Sequence, residues 1–525
     1  MSKWTVFRHN GPFFPPKYQR HNVDIIINGN IVKVSDIVEE YLTLYAKYIG
    51  TDYVSKKKFN ENFLKDLRKV LPKNIKISSM NDINLTNVKK HLDNKKEKLK
   101  SLSKETKEKL KEKQKKLEEP YTICYIDGQQ QSVGNFKIEP PGIFLGRGEH
   151  PKLGSIKRRI KPEDVTINLD KDAPVPVPNV EGKWKKVIHD KNVVWLATWI
   201  DEITGKNKYV FTSMEGTFKS KSDEKKFNVA KKLKNKAGKI RKEYSEDLEN
   251  SNIVKQQLAT ALYFVDNLAL RVGNKKNTKE KADTVGVTSL RVEHIQLLNN
   301  NTIKLDFLGK DSIRYCKKTK VSVPVYNNLK QFTEGKNKKD DLFDKISSSS
   351  LNDYLNSFMK GLTAKVWRTY NASNTLQKEL NKVNKTKLEK MPEQERIMYL
   401  TTFFNQANTT VALLCNHQKN VSSNIDNAIK KMEEQLKKLR KRKKNTKEND
   451  KLSKINAKIE TLKLKKETKS KMKNVSLGTS KTNYIDPRII FAFIKKHNIP
   501  PEKLFTKQLL KRFEWASKVD KDYTF

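Results

Sequence analysis

The sequence predicts a multidomain α+β protein, and three observations carry that reading. Residues 121–215 alternate apolar and polar positions between Gly and Pro breaks (YTICYIDG, VVWLATWI, KYVFTS), as strands and hairpins do. Residues 225–300 and 348–420 place Leu, Ala and aromatic residues at helical spacing. In 421–472, Ile425, Ile429, Met432, Leu436 and Leu439 step by four and three, and Leu452, Ile455, Ile459 and Leu462 repeat the step after the polar turn NTKEND. That pattern predicts two antiparallel helices joined in a coiled coil, each with one narrow apolar seam.

The remaining elements follow in chain order. Trp4 to Pro16 (WTVFRHNGPFFPP) is too aromatic for a disordered tail and reads as an irregular strap lying on a folded surface. Residues 22–86 mix short apolar runs and predict a compact α+β piece. From Val88 to Glu119 the chain is almost wholly charged, which predicts two exposed helices, the second capped at Ser103. These helices are either a basic arm held near a polyanion or a solvated spacer. The run TIKLDFLGKDSIRYCKKTKVSVPV alternates as a β-ribbon. Residues 474–525 read as a compact helical tail, and no internal repeat is evident.

The 525 residues leave room for several domains. Lys and Arg total 109 against 60 Asp and Glu, a net charge of +49. A polyanion would relieve that self-repulsion, and nucleic acid gains further from counterion release. A general overuse of Lys and Asn is the competing explanation. Cys124, Cys316 and Cys415 lie far apart with no CxxC pair, which suits a reducing compartment and offers no zinc module. No apolar run is long enough to span a membrane and no secretory signal is present, so a soluble intracellular protein is expected. The chain has no GxxxxGK[ST], no HExxH and no acidic cluster fit for two magnesium ions. An enzyme of this composition acting on phosphodiesters would have to draw its positive charge from Arg, Lys and His.

Metal-free cleavage of a phosphodiester needs an in-line nucleophile, cations on the non-bridging oxygens, a proton donor for the leaving oxygen and a grip on the strand. Candidates are Arg271 in LALRVGN, Lys310 in FLGKDSIRY, Arg368 in VWRTYNAS, His417 in LLCNHQ and Tyr484 in LGTSKTNYIDPR. Singly, each has a plainer reading: a surface charge, a hydrogen-bonded core histidine, or a packed tyrosine among 17. Spacing alone does not select them.

The strings around them do. KWTVFRHNGPFFPP, NFKIEPPGIFLGRGEHPKLGSIKRRIKPEDVTINL, LALRVGN, ADTVGVTSLRVEHI, FLGKDSIRY, GLTAKVWRTYNAS and LGTSKTNYIDPR closely resemble the eukaryotic type IB DNA topoisomerases over nearly the whole chain. The resemblance implies a two-lobed DNA clamp. Its parts would be a mixed α/β cap lobe over 1–215 that includes the arm 88–119, a mainly helical catalytic domain of tyrosine-recombinase type over 216–420, a protruding coiled-coil linker over 421–472, and a small helical C-terminal domain over 473–525. It implies Tyr484 as the nucleophile forming a 3′-phosphotyrosine. Arg271, Arg368 and His417 would contact the non-bridging oxygens, and Lys310 would be the general acid toward the 5′-oxygen. Arg147, Asp311, Thr479 and Asn483, with Lys152, would support the DNA around the cut, and Lys152 and Glu280 would close the clamp as an ion pair. The partner implied is duplex, supercoiled DNA bound by a monomer, with no metal, ATP or other cofactor and no membrane, in the nucleus. The family's long charged N-terminal extension is absent from this sequence, and the linker is shorter than in many animal members. A tyrosine recombinase shares the residue set but not the long strings, and a non-catalytic DNA-binding descendant would not be expected to retain all five residues.

Overall fold

The computed structural model describes residues 2–525 apart from 214–216, 279, 390–391, 418–422, 446–447, 449–451, 453–454, 457–458, 460–461, 464, 468, 471–472 and 474. The chain divides into two compact units, one of Met1–Gly216 with Lys276–Asp283, the other of Thr217–Lys275 with Thr284–Phe525.

The first unit is built from small sheets and two cores. Phe7–His9 pairs antiparallel with Ile123–Ile126, which pairs with Gln129–Ser132, so the N-terminal strap contributes an edge strand. A four-stranded sheet runs Lys186–Ile188, Thr166–Asn168, Trp195–Asp201, Lys206–Phe211, its first pair parallel and the rest antiparallel. Trp4, Phe7 and Phe14 pack with Val165, Ile167 and Leu196 in one core. The helices Asp36–Ala46 and Lys57–Leu67 form the other, where Val38, Leu42, Phe59 and Phe63 are fully buried. The charged segment forms helices Thr86–Ser101 and Lys104–Glu118, the second capped by Ser103, whose hydroxyl accepts from Thr106 N–H at 3.1 Å. Only Val88 of the two is buried, because the sequence supplies almost no apolar face to cover.

The second unit is mainly helical around one large core. Long helices Thr217–Asp247, Ile253–Asn267, Ala364–Leu380 and Glu393–Leu414 contribute Phe227, Leu262, Phe264, Trp367 and Phe404, all fully buried. The expected ribbon is present: Thr302–Leu308 pairs antiparallel with Arg314–Lys320 and with Ile295–Leu298. Two expectations needed revision. The described residues of 268–286 are irregular instead of α-helical, and only the single 3-10 turns Val287–Ser289 and Val292–His294 follow, because Ala269 turns left-handed and ends the preceding helix. The VSVPV end of the ribbon run is not strand, since Val323 opens the helix Val323–Thr333, with Pro324 in its first turn where a missing N–H costs nothing.

Ser423–Lys444 is one helix, and the described residues between 452 and 470 are also mostly helical. Asp426 pairs with Lys473 at 2.6 Å and Glu433 with Lys466 at 2.8 Å. One partner advances seven residues as the other retreats seven, so the two segments run antiparallel there. Leu436 and Ile459, both seam positions, are buried. The side chain of Ile425 and most of the NTKEND turn lie outside the described residues.

Candidate active site

The second unit brings Arg368, Tyr484, His417 and Arg271 to one place, each held by local chemistry that the chain supplies. Arg368 sits in the first turns of Ala364–Leu380, whose start is fixed by Thr363 accepting from Val366 N–H at 3.2 Å. It is only 3% exposed, so its donors must be used inside the protein. Nε donates to the Ala269 carbonyl at 2.8 Å, Nη2 to the Cys415 carbonyl at 3.1 Å, and Nη1 to the Tyr484 hydroxyl at 3.0 Å. Behind it, buried Asp266 accepts from Trp367 Nε1 at 2.9 Å, Tyr244 at 2.9 Å and the Arg241 fork at 2.7 and 2.8 Å. That carboxylate ties three helices together, the Arg368 helix among them.

Arg271 follows Ala269, an alanine at φ 49°, a conformation that costs about 1–2 kcal/mol for a residue with a Cβ. The strain has a return: it turns the Ala269 carbonyl to Arg368. The Arg271 backbone is then clamped, its carbonyl accepting from Val287 N–H at 2.9 Å. The clamp depends on Gly273 meeting Gly286 directly, since a Cβ on either would lie 2.6 Å from the other's Cα.

His417 is positioned by the end of helix Glu393–Leu414. Asn416 is left-handed at φ 51°, His417 N–H reaches back to Ala412 O at 2.8 Å, and Asn416 N–H to Leu413 O at 3.1 Å. This paired closure is a Schellman motif with Asn in the place glycine usually takes. The imidazole Nδ1 lies 2.8 Å from Ser480 Oγ, and among the described residues Nε2 is buried without a hydrogen-bond partner. Its ring centroid is 5.1 Å from that of Tyr484.

Tyr484 closes the short helix Leu477–Asn483. Ser373, on the Arg368 helix, donates to Tyr484 O at 3.2 Å and accepts from Asp486 N–H at 2.9 Å, gripping the chain on both sides of Ile485. Tyr484 is 8% exposed and packs against the unit's core, but its hydroxyl ends on the Arg368 guanidinium, among the groups it was expected to meet.

The electrostatics follow from this crowding. Burial alone would push the Tyr484 phenol up, but the charges of Arg368 and Arg271, with hydrogen bonding by Arg271, outweigh it and hold the phenol below its ordinary value. Burial, reinforced by the charges of Arg368, Arg271 and Lys310, pushes His417 down to about 3. The imidazole is therefore neutral at physiological pH.

Lys310 and Asp311 occupy the exposed tip of the Thr302–Lys320 hairpin, where Asp311 and Ser312 are both left-handed, at φ 67° and 58°. Lys310 is close enough to press on the His417 titration. Thr479 and Asn483 lie on the Tyr484 helix, Asn483 Nδ2 donating to Thr479 O at 3.3 Å and Thr479 Oγ1 sitting 3.2 Å from Ser476 Oγ. In the first unit Arg147 and Glu280 are exposed, and Lys152 donates to the Ile203 carbonyl at 2.6 Å. Among the described residues no group of three or more His, Cys, Asp or Glu is placed to hold a metal, and no helix is long and apolar enough to cross a membrane.

Sequence reasoning missed Ser373, Ser480, Asp266 and Ala269 as supports. Only Ser480 leaves a local trace, four residues before Tyr484 on one helix face.

Three family models match the chain: the eukaryotic DNA topoisomerase I DNA-binding fragment over 2–212, the eukaryotic DNA topoisomerase I catalytic core over 215–450, and a C-terminal topoisomerase domain over 456–525. Among curated proteins, the chain is 43% identical to DNA topoisomerase 1 beta of Arabidopsis thaliana, 41% to DNA topoisomerase 1 of Caenorhabditis elegans and 40% to that of Homo sapiens. All of this chain is covered in each case, together with 59%, 68% and 72% of those proteins respectively. The chain thus spans about three-fifths to three-quarters of the length of the relatives it matches.

Proposed function

This chain belongs to the eukaryotic DNA topoisomerase I family, and from that premise we propose that it relaxes supercoiled duplex DNA by transient cleavage of one strand. The Tyr484 phenol gives up its proton to solvent and its oxygen attacks the scissile phosphorus, the bond to the 5′-oxygen breaks, and a 3′-phosphotyrosine holds the strand while the duplex rotates. Arg271 and Arg368 offset the charge that builds on the non-bridging oxygens while the neutral His417 ring contacts them by a hydrogen bond, and Lys310 donates the proton to the leaving 5′-oxygen. One phosphate ester replaces another, so the freed hydroxyl can reverse the step, and neither ATP nor a metal is required. The observation that carries this reading is the 3.0 Å bond from Arg368 Nη1 to the Tyr484 hydroxyl, beside a buried imidazole and a second guanidinium.

The supporting roles extend the same proposal. Arg147, Lys152, Asp311, Thr479 and Asn483 grip DNA around the cut in a two-lobed clamp, and Lys152 with Glu280 forms a closing pair worth about 0–1 kcal/mol, weak enough to reopen. Residues 421–472, with 18 basic and 7 acidic side chains, act as a coiled-coil linker that slows rotation by long-range attraction. Deleting the linker should change relaxation rate and salt response; loss of cleavage would end that idea. The site of action is the nucleus.

The deciding experiment is plasmid relaxation in EDTA without ATP, for wild type and Tyr484→Phe side by side. Wild type should relax DNA and become covalently attached to it, while the variant should bind DNA and do neither. Relaxation by Tyr484→Phe sinks the assignment.

A further inference from the structure

We infer that Ser480 is a positioning residue that fixes the tautomer of His417, so that Nε2 carries the imidazole proton and faces the DNA phosphate as a donor. The inference rests on the proposed cleavage reaction and adds a group to it.

A neutral imidazole has one proton and two places to put it. With the proton on Nε2, the ring donates to a phosphate oxygen; with it on Nδ1, the same position presents a lone pair to an anion. The difference is a favourable contact against a repulsive one. Something must bias the choice before the phosphate arrives, because a ring that waits in the wrong tautomer subtracts from the stabilised fraction.

The only hydrogen-bond partner of the His417 ring among the described residues is Ser480 Oγ, 2.8 Å from Nδ1. A serine hydroxyl can donate or accept, and the surroundings decide between the two. When it donates to Nδ1, the proton is left on Nε2, the buried nitrogen without a partner. A buried N–H without an acceptor is an expensive feature in a protein interior. Its retention is intelligible if the acceptor is the substrate. The tautomer bias and the empty donor direction are two halves of one device.

Ser480 is fully buried, so its hydroxyl is not diverted to solvent. It also sits on the nucleophile's own helix: its carbonyl accepts from Tyr484 N–H at 2.9 Å and Ile485 N–H at 3.0 Å. One residue therefore places the nucleophile through its backbone and sets the imidazole through its side chain. The two roles separate by mutation, because alanine keeps the carbonyl and loses only the hydroxyl.

The test uses the full chain. Ser480→Ala should slow formation of the covalent DNA adduct about 10-fold, less than the ~10²–10³ expected for outright loss of a transition-state donor. His417→Gln supplies the control, since a glutamine amide is a donor with no tautomer to choose. In the His417→Gln background, Ser480→Ala should change the rate less than about twofold. An equal loss in both backgrounds would mean that Ser480 acts on Tyr484 and not on the imidazole, and no loss in the wild-type background would overturn the inference as well. Selective ¹⁵N-histidine labelling gives a readout independent of activity: the His417 signals, identified by their absence in His417→Gln, should show Nε2 protonated and Nδ1 not, with Ser480→Ala mixing the two. A protonated Nδ1 in the wild type refutes the assignment. If the wild type forms no covalent adduct at all, the cleavage reading fails, and the nitrogen signals still decide whether Ser480 sets the tautomer.

Discussion

Replacing Arg368 by Lys keeps the positive charge and removes the fork, and the structure sets what that should cost. The guanidinium makes three bonds in three directions, to the Ala269 carbonyl, the Cys415 carbonyl and the Tyr484 hydroxyl. An ammonium is a single point at the end of a flexible stem and cannot serve two carbonyls and a phenol that were spaced for a planar fork. At least one buried carbonyl is left without its donor, which costs about 1–3 kcal/mol of stability. The loss in reaction is larger, because the geometry that fails is also the one that would meet the phosphate. Removing one well-placed donor to developing negative charge lowers a rate by ~10²–10³, about 3–4 kcal/mol of barrier. The phenol responds in a known direction. Arg368 and Arg271 hold it below its ordinary value against the opposing effect of burial, so weakening the first contact raises it. The pH at which covalent-adduct formation reaches half its maximum should therefore move upward in Arg368→Lys. Single-turnover cleavage of a defined duplex from pH 6 to 10, with thermal unfolding of the same samples, measures both effects. A variant that cleaves within threefold of wild type, or whose profile shifts to lower pH, refutes the claim that the fork organises the nucleophile.

Three further predictions reach beyond Arg368. His9 is committed as a neutral ring, Nδ1 accepting from Gly11 N–H at 2.9 Å and Nε2 donating to Asn168 O at 2.8 Å, and burial pushes it down to about 4. The unfolded chain then binds a proton that the folded chain refuses between pH 6.5 and 4, so stability falls as pH falls through that window, by up to about 3 kcal/mol, with no further loss below it from this group. His417 adds a loss of the same sign; urea titrations at several pH values should show a shallower slope for His9→Gln, and a wild-type stability that is flat from pH 6.5 to 4 would contradict the assignment. Gly286→Ala places a Cβ 2.6 Å from the Arg271 carbonyl and from Gly273 Cα, backbone atoms that cannot swing aside, and should cost about 1–3 kcal/mol while impairing cleavage through Arg271. Gly238→Ala, in the helix Thr217–Asp247 with nothing within 4 Å, should instead gain about 0.5–1 kcal/mol; equal melting temperatures for the two variants would defeat the packing argument.

What the sequence disclosed follows from how locally each feature is encoded. The Ser103 cap and the hairpin 302–320 are written in residues close together, so pattern alone found them, as it did the burial of Leu436 and Ile459. The region after Asn267 was misread because its helical composition is overruled by one left-handed alanine and by two glycines touching thirteen residues apart. VSVPV imitates a strand until Pro324 is seen as a first-turn residue. The site itself was named by the resemblance of long strings, since Arg368 lies 116 residues from the tyrosine whose hydroxyl it bonds. Ser373 and Ser480 were missed for the same reason: a hydroxyl that reaches across 111 or 63 residues leaves no period in the sequence.

The cationic site is assembled by the fold, not by its substrate. Burying a guanidinium is unfavourable unless its donors are met, and here two of its three bonds go to carbonyls presented by chain turns at Ala269 and Cys415. Only the third, from Nη1, goes to a group that the proposed reaction itself changes. As the phenol becomes a phosphate ester, that N–H can pass from the hydroxyl to a neighbouring oxygen without disturbing the two bonds that hold the arginine in place. The ordering entropy of the site is then met during folding, and a phosphate entering it encounters dipoles and charges already aimed. The same fixed field acts on the ester in both directions, stabilising negative charge whether tyrosine or the 5′-hydroxyl is the attacking group. A site built this way serves the forward and the return step alike, which is the property the proposed reversible strand break requires.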